Sequence, residues 1–156
     1  MTTVAQNNQS YQWAPQLQYA VYTDGTFDIN QGDLVWFDSS SHKVKSADTD
    51  AHCQYLAGVA GETSYLNLTG TKIYTDSGCI PVFTKGIFTF NTTSGDTYND
   101  GDTLYIGADA QTITNQAASH AVGYAKMRPG QSAVAGGAGI TIDMVLVAQF
   151  PVAGGL

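Results

Sequence analysis

The chain is short of charge. Only 12% of its 156 residues are Asp, Glu, Lys or Arg, about half the usual share for a soluble domain. Cations are scarcest: Lys43, Lys45, Lys72, Lys85, Lys126 and Arg128 make six, scattered among thirteen acids, twelve of them Asp. A nucleic-acid binder needs clustered cations to neutralise phosphates. A net charge of −7 and a pI near 4.4 therefore argue against nucleic acid as a direct partner. Long apolar runs are missing too. The longest, Met144 to Ala148 with Ile140 and Ile142 before it, falls far below the roughly 20 residues of a membrane-spanning helix, so no membrane partner is expected. Met1 to Asn8 hold neither a basic cluster nor an apolar run, which predicts no secretory signal and a protein made for the cytoplasm or released by lysis. Cys53 and Cys79 are the only thiols, and without a Cys-x-x-Cys spacing they support neither a disulfide framework nor a zinc site. Buried free cysteines are the expectation. Helical periodicity is absent as well, apart from a weak stretch around Gln116 to His120.

Strand signals fill the chain instead. Short β-branched or aromatic segments are expected at Gln18–Tyr22, Leu34–Phe37, Lys43–Lys45, Tyr55–Ala60, Lys72–Tyr74, Ile80–Thr84, Ile87–Phe90, Thr103–Ile106, Thr112–Thr114, Ala121–Lys126 and Ile140–Val147. Asp-Gly, Gly-Asp and Ser-Gly turns punctuate them. Two stretches repeat one another. Gly32-Asp33-Leu34-Val35-Trp36-Phe37 lines up with Gly101-Asp102-Thr103-Leu104-Tyr105-Ile106, Val44 with Ile113, and Ala57-Gly58-Val59-Ala60 with Val122-Gly123-Tyr124-Ala125. The expectation is an all-β fold, a small antiparallel β-barrel or sandwich built from an internally duplicated unit, with repeats at about 32–64 and 101–128. A single β domain would span 17–148, preceded by a polar N-terminal arm (1–16) and followed by a short C-terminal extension (149–156). Between the repeats, Pro81 cannot donate to a ladder and is expected at a strand start or sheet edge, and Gly86 at a bulge or barrel corner.

Reactive constellations are weak throughout. Asp76-Ser77-Gly78 has the form of an aspartic-protease triplet, but it occurs once and its flanks lack the apolar pattern, so a turn is the better reading. Asp33 and Asp102 each follow Gly at a strand entrance, where a carboxylate accepts backbone N–H bonds. Asp96 to Asp102 is acidic enough to suggest calcium, yet Tyr98 stands where an oxygen ligand is needed and no Glu closes the loop, which favours a solvated hairpin loop. His42, His52 and His120 form no ligand pair. Gly136-Gly137-Ala138-Gly139 precedes a strand, so it lacks the helix terminus of a phosphate loop. Asn67 and Asn91 open Asn-x-Thr sites that matter only on a secretory route. No catalytic residue, metal site or cofactor is assigned, and the expectation is a non-enzymatic structural protein.

The order of small motifs, Gly32-Asp33-Leu34-Val35, Leu56 to Ala60, Ile80-Pro81-Val82-Phe83-Thr84-Lys85-Gly86-Ile87-Phe88, Gly101-Asp102-Thr103-Leu104-Tyr105 and Val122 to Ala125, resembles the capsid decoration, or cement, proteins of tailed bacteriophages and prophages. The resemblance spans about residues 17 to 148. It implies a protein on the virion exterior that binds the major capsid protein of an expanded shell, commonly as a homotrimer, without catalysis. In such proteins an N-terminal arm adds to a capsid strand through main-chain hydrogen bonds; here Tyr11, Trp13 and Leu17 would fit that role. The alternative from another class is a carbohydrate- or receptor-binding module of a phage fibre or adhesin, supported by nine Tyr and two Trp that could stack on sugar rings.

Overall fold

The computed structural model describes residues 18–22, 29–47, 49–61, 79–107 and 111–147, with backbone alone for 18–22 and 79. The protein is nearly all β. Its first sheet holds β1 (Gln18–Tyr22), β2 (Leu34–Asp38), β3 (Lys43–Ser46), β4 (Leu56–Ala60) and β5 (Cys79–Phe83), in the spatial order β1-β5-β4-β2-β3. Its second sheet holds β6 (Ile87–Thr92), β8 (Thr103–Ile106), β9 (Thr112–Thr114), β10 (Ala121–Lys126) and β12 (Thr141–Leu146), closed into a barrel in the order β10-β12-β6-β9-β8. A small ribbon pairs β7 (Thr97–Tyr98) with β11 (Val134–Ala135). The helical feature among the described residues is a 3-10 helix over Asp50–Tyr55, N-capped by Thr49; the weak helical periodicity around Gln116 to His120 falls in loop.

Read from β6, the barrel order is β6-β12-β10-β8-β9, which is the order of the first sheet strand for strand. The pairing registers coincide as well. Leu34 faces Val59 as Thr103 faces Tyr124, and Val35 faces Gly58 as Leu104 faces Gly123. Both ladders then slip by a residue, so that Trp36 meets Leu56 and Tyr105 meets Ala121. The shared bulge leaves Ala57 and Val122 fully buried. The glycine beside it is required in each case: a Cβ would lie 2.0 Å from the Phe83 carbonyl oxygen at Gly58 and 2.2 Å from that of Val145 at Gly123. The repeat thus reaches beyond the two similar sequence stretches to β1 and β6 on one side and β5 and β12 on the other.

The entry turn is duplicated atom for atom. The N–H of Asn30 donates to Asp33 Oδ2 at 2.8 Å, and that of Asn99 to Asp102 Oδ2 at 2.8 Å. Gly32 and Gly101 have φ of 90° and 85°, a region open to Gly, and their N–H groups reach the carbonyls of Ala60 and Ala125. After β2 and after β8, His42 (φ 57°) and Gln111 (φ 64°) hold matched left-handed positions.

Inside the barrel, alternation on β6 and β12 sends Phe88, Phe90, Ile142 and Met144 inward to join Tyr98, Leu104, Ile113 and Val122. Each such side chain contributes about 1.5–3 kcal/mol on burial. The curled first sheet encloses a smaller set, Ile29, Val35, Val44, Ala57, Ala60, Ile80 and Val82. Its other face, with Leu34, Leu56, Val59 and Phe83, shares one continuous apolar cluster with the barrel.

Pro81 is neither at an edge nor at a strand start: β5 lies between β1 and β4. The missing donor is replaced. The Gly61 N–H reaches the Pro81 carbonyl at 2.8 Å, and the Gly61 carbonyl, deprived of a proline N–H, accepts from Gln31 Nε2 at 2.8 Å. Gly86, with φ 147°, sits where the chain passes from the first sheet into the barrel.

Candidate functional site

The carboxylates of the described residues serve the frame. Asp33 is 3% exposed, and burial pushes its carboxyl up to about 6, with the Asn30 bonds opposing. Asp96 lies against β7 at 7% exposed. Burial acts to raise its pKa, but hydrogen bonds from Thr114, Gln116 and Tyr98 outweigh it and hold it below the usual carboxylate range. The Tyr98 hydroxyl lies 3.1 Å from Asp96 Oδ2 and 2.8 Å from the Ile113 carbonyl. Burial first, and then the charge of Asp96, push that phenol up to about 12. Asp100 Oδ1 accepts the Met127 N–H at 2.7 Å. The segment expected to be a solvated acidic loop is therefore partly core, because Tyr98 turns inward and draws Asp96 with it. Among the described residues no group of three or more His, Cys, Asp or Glu side chains is placed to hold a metal ion.

The histidines stay apart. His52 stacks on Trp36, with ring centroids 4.3 Å apart and planes within 2°. Lys45 lies 5.5 Å from the Trp36 centroid and pairs with Asp38 at 2.7 Å, which holds the Asp38 carboxyl far below its ordinary range. Trp36 is half-buried at the margin of the core. His120 reaches Asp50 twice, by its N–H at 3.0 Å and by Nδ1 at 3.3 Å, tying the loop before β10 to the 3-10 helix. Cys53 is fully buried.

A contact that sequence reasoning missed joins the two repeats. The Gln111 side chain enters the end of the β2–β3 ladder: Oε1 accepts the Leu34 N–H at 2.6 Å, while Nε2 donates to the Ala47 carbonyl at 2.6 Å and to Ser46 Oγ at 3.0 Å. An amide side chain here replaces a peptide unit. Nothing in the sequence around Gln111 marks it except its alignment with His42.

The surface that remains for binding is apolar and aromatic. On the outside of the barrel, register sets Ile87, Val145 and Tyr124 side by side across β6, β12 and β10. Tyr124 is 46% exposed. A shallow pocket lined by Lys85, Gly86, Ile87, Val145 and Leu146 adjoins the row. Tyr55, Ile140 and Val147 are the other exposed large apolar residues among those described. The arm residues Tyr11, Trp13 and Leu17, the extension 149–156, the Asp76-Ser77-Gly78 triplet, Asn67 and the expected strand Lys72–Tyr74 lie outside the described residues.

No protein-family model matches the chain, and no curated protein matches it at a level that marks relatedness. No helix among the described residues is long and apolar enough to cross a membrane.

Proposed function

We propose that this protein decorates the outside of an expanded tailed-phage capsid, made in the host cytoplasm and acting in the virion as a non-enzymatic cement on the major capsid protein. The observation that carries the reading is where the motifs of the resemblance fall. Gly32-Asp33 and Gly101-Asp102 form the entry turns, Leu56 to Ala60 and Val122 to Ala125 the bulged strands, and Ile80 to Phe88 the passage between sheets. These residues build a frame, and the arm is left to bind. Its residues Tyr11, Trp13 and Leu17 are the proposed anchors, and the arm leads into β1, a strand at the end of its sheet order. Decoration requires no reaction: binding only the mature shell stabilises it by mass action, and many docked subunits together resist internal pressure although each contact is modest. Homotrimers near three-fold positions of the shell belong to the same reading.

The test is co-sedimentation with expanded shells emptied of DNA, comparing the native chain with a Tyr11→Ala, Trp13→Ala, Leu17→Ala variant. Saturation at a fixed ratio to the major shell protein, lost in the variant, is the expected result. Absence of binding by the native chain overturns the reading and turns attention to a glycan screen, since the alternative is a carbohydrate- or receptor-binding module of a fibre or adhesin.

A further inference from the structure

We propose that the outer face of the closed barrel is a docking site for a second molecule of this same chain, which would insert its β2–β3 hairpin there. The internal repeat supplies the pattern. By register, Leu34, Val59 and Phe83 of the first repeat correspond to Thr103, Tyr124 and Val145 of the second. The first row is buried, at 0%, 0% and 6% exposed, within a cluster that includes barrel side chains. Gln111, from the left-handed turn between β8 and β9, completes the cover by bonding Leu34, Ser46 and Ala47. The second row has no such cover within the described chain: Tyr124 is 46% exposed, and Thr103 and Val145 are half-buried.

An independent mark lies at the matched polar position. Ser46 accepts from Gln111 at 3.0 Å, and its counterpart in the second repeat is Asn115. The Asn115 amide donates to the Thr97 carbonyl at 2.8 Å and to Asp102 at 3.1 Å, but its Oδ1 is buried with no hydrogen-bond partner. A buried acceptor left unpaired is costly, and the repeat places a donor from the next hairpin at this position.

The hairpin matched to β8–β9 is β2–β3. His42 sits exposed at its left-handed turn, where Gln111 sits in the other, and its ring can donate as the Gln amide does. Such a contact joins unlike surfaces, so each molecule offers one hairpin and one face, and repetition gives a ring or a filament. The inference does not rest on the shell reading and survives its failure.

Sedimentation velocity of the full chain, up to about 1 mM, tests it with two variants: Tyr124→Glu on the face and His42→Glu on the hairpin, with Val145→Glu as a second face variant should the first misfold by circular dichroism. The native chain should self-associate, and each variant should associate at least about tenfold more weakly. Mixed together, the two variants should form a one-to-one complex that stops there, because one brings an intact face and the other an intact hairpin. A native chain that stays monomeric, variants that associate like it, or a mixture that forms no such complex each overturn the proposal.

Discussion

The two repeats share strand order, register, bulge and entry turn, yet one closes and the other stays a curled sheet. In the barrel, β6 and β9 meet in a parallel ladder that pairs Asn91 with Thr112 and Thr92 with Ile113. The corresponding β1 and β3 approach each other without a described ladder. Filling explains part of the difference. The barrel encloses Phe88, Phe90, Tyr98 and Met144, whereas the first sheet encloses Ile29, Val35, Val44, Ala57, Ala60, Ile80 and Val82. Covering explains more. β4 is buried at all five positions because its outer face lies against the barrel, while β10 alternates and shows Tyr124 and Lys126 to solvent. A duplicated frame has become asymmetric because one repeat shields the other.

The sharpest way to break this comparison is at the bulge glycines. Gly58→Ala forces a Cβ to 2.0 Å from a backbone oxygen at φ 148°, so it is expected to cost about 4 kcal/mol or more. Gly123→Ala, at 2.2 Å from its oxygen, is expected to cost about 3 kcal/mol. Equilibrium urea unfolding measures both, and a cost below that of an ordinary surface change at either site would refute the shared bulge.

Gln111→Ala removes the amide spliced into the β2–β3 ladder and leaves the Leu34 N–H and Ala47 carbonyl without it. The expected loss is about 2–4 kcal/mol. The matched His42→Ala should cost under about 0.5 kcal/mol, as an exposed substitution does. Equal losses would dissolve the asymmetry.

Asp33 sharpens the comparison through pH. Its carboxyl is raised from 3.8 to about 6 by burial, so the folded chain holds this proton more tightly than the unfolded chain does. The group's stabilising contribution is full below about pH 4 and is lost as pH rises through 6. Relative to Asp33→Asn, the native chain should lose on the order of 3 kcal/mol across that window, readable from urea midpoints at pH 4, 5, 6 and 7. Parallel profiles would show that burial does not govern the group. A modest effect is expected at the half-buried tie between the repeats, where Asp50→Ala should cost about 1 kcal/mol or less.

Much of the frame was legible in the sequence. Thr103–Ile106, Thr112–Thr114 and Ala121–Lys126 match the expected strands residue for residue, because alternation and Gly-Asp or Asp-Gly punctuation are local signals. The extent of the repeat was not legible: Gln18–Tyr22 and Ile87–Thr92 occupy matched places with unlike residues, since register with a neighbour defines them. Pro81 misled because its missing N–H is offset by Gln31, a residue fifty positions away. Asp33 and Asp102 look alike in sequence and differ only in what packs over them. For the candidate site, Tyr124 was visible as a strand residue, but its exposure depends on what the other repeat leaves uncovered.

The passage through Gly86 also sets how the molecule carries force. Gln18 stands opposite Phe83, so tension entering at Gln18 and leaving through β5 would load the five register pairs of β1 with β5 from that end, one after another. From β5 the pull continues through Thr84, Lys85 and Gly86 directly into β6, whose neighbours on both sides belong to the closed ring of strands. A tether anchored ahead of β1 would thus end on the closed ring of strands, with the open sheet acting as the coupling and the barrel as the mooring.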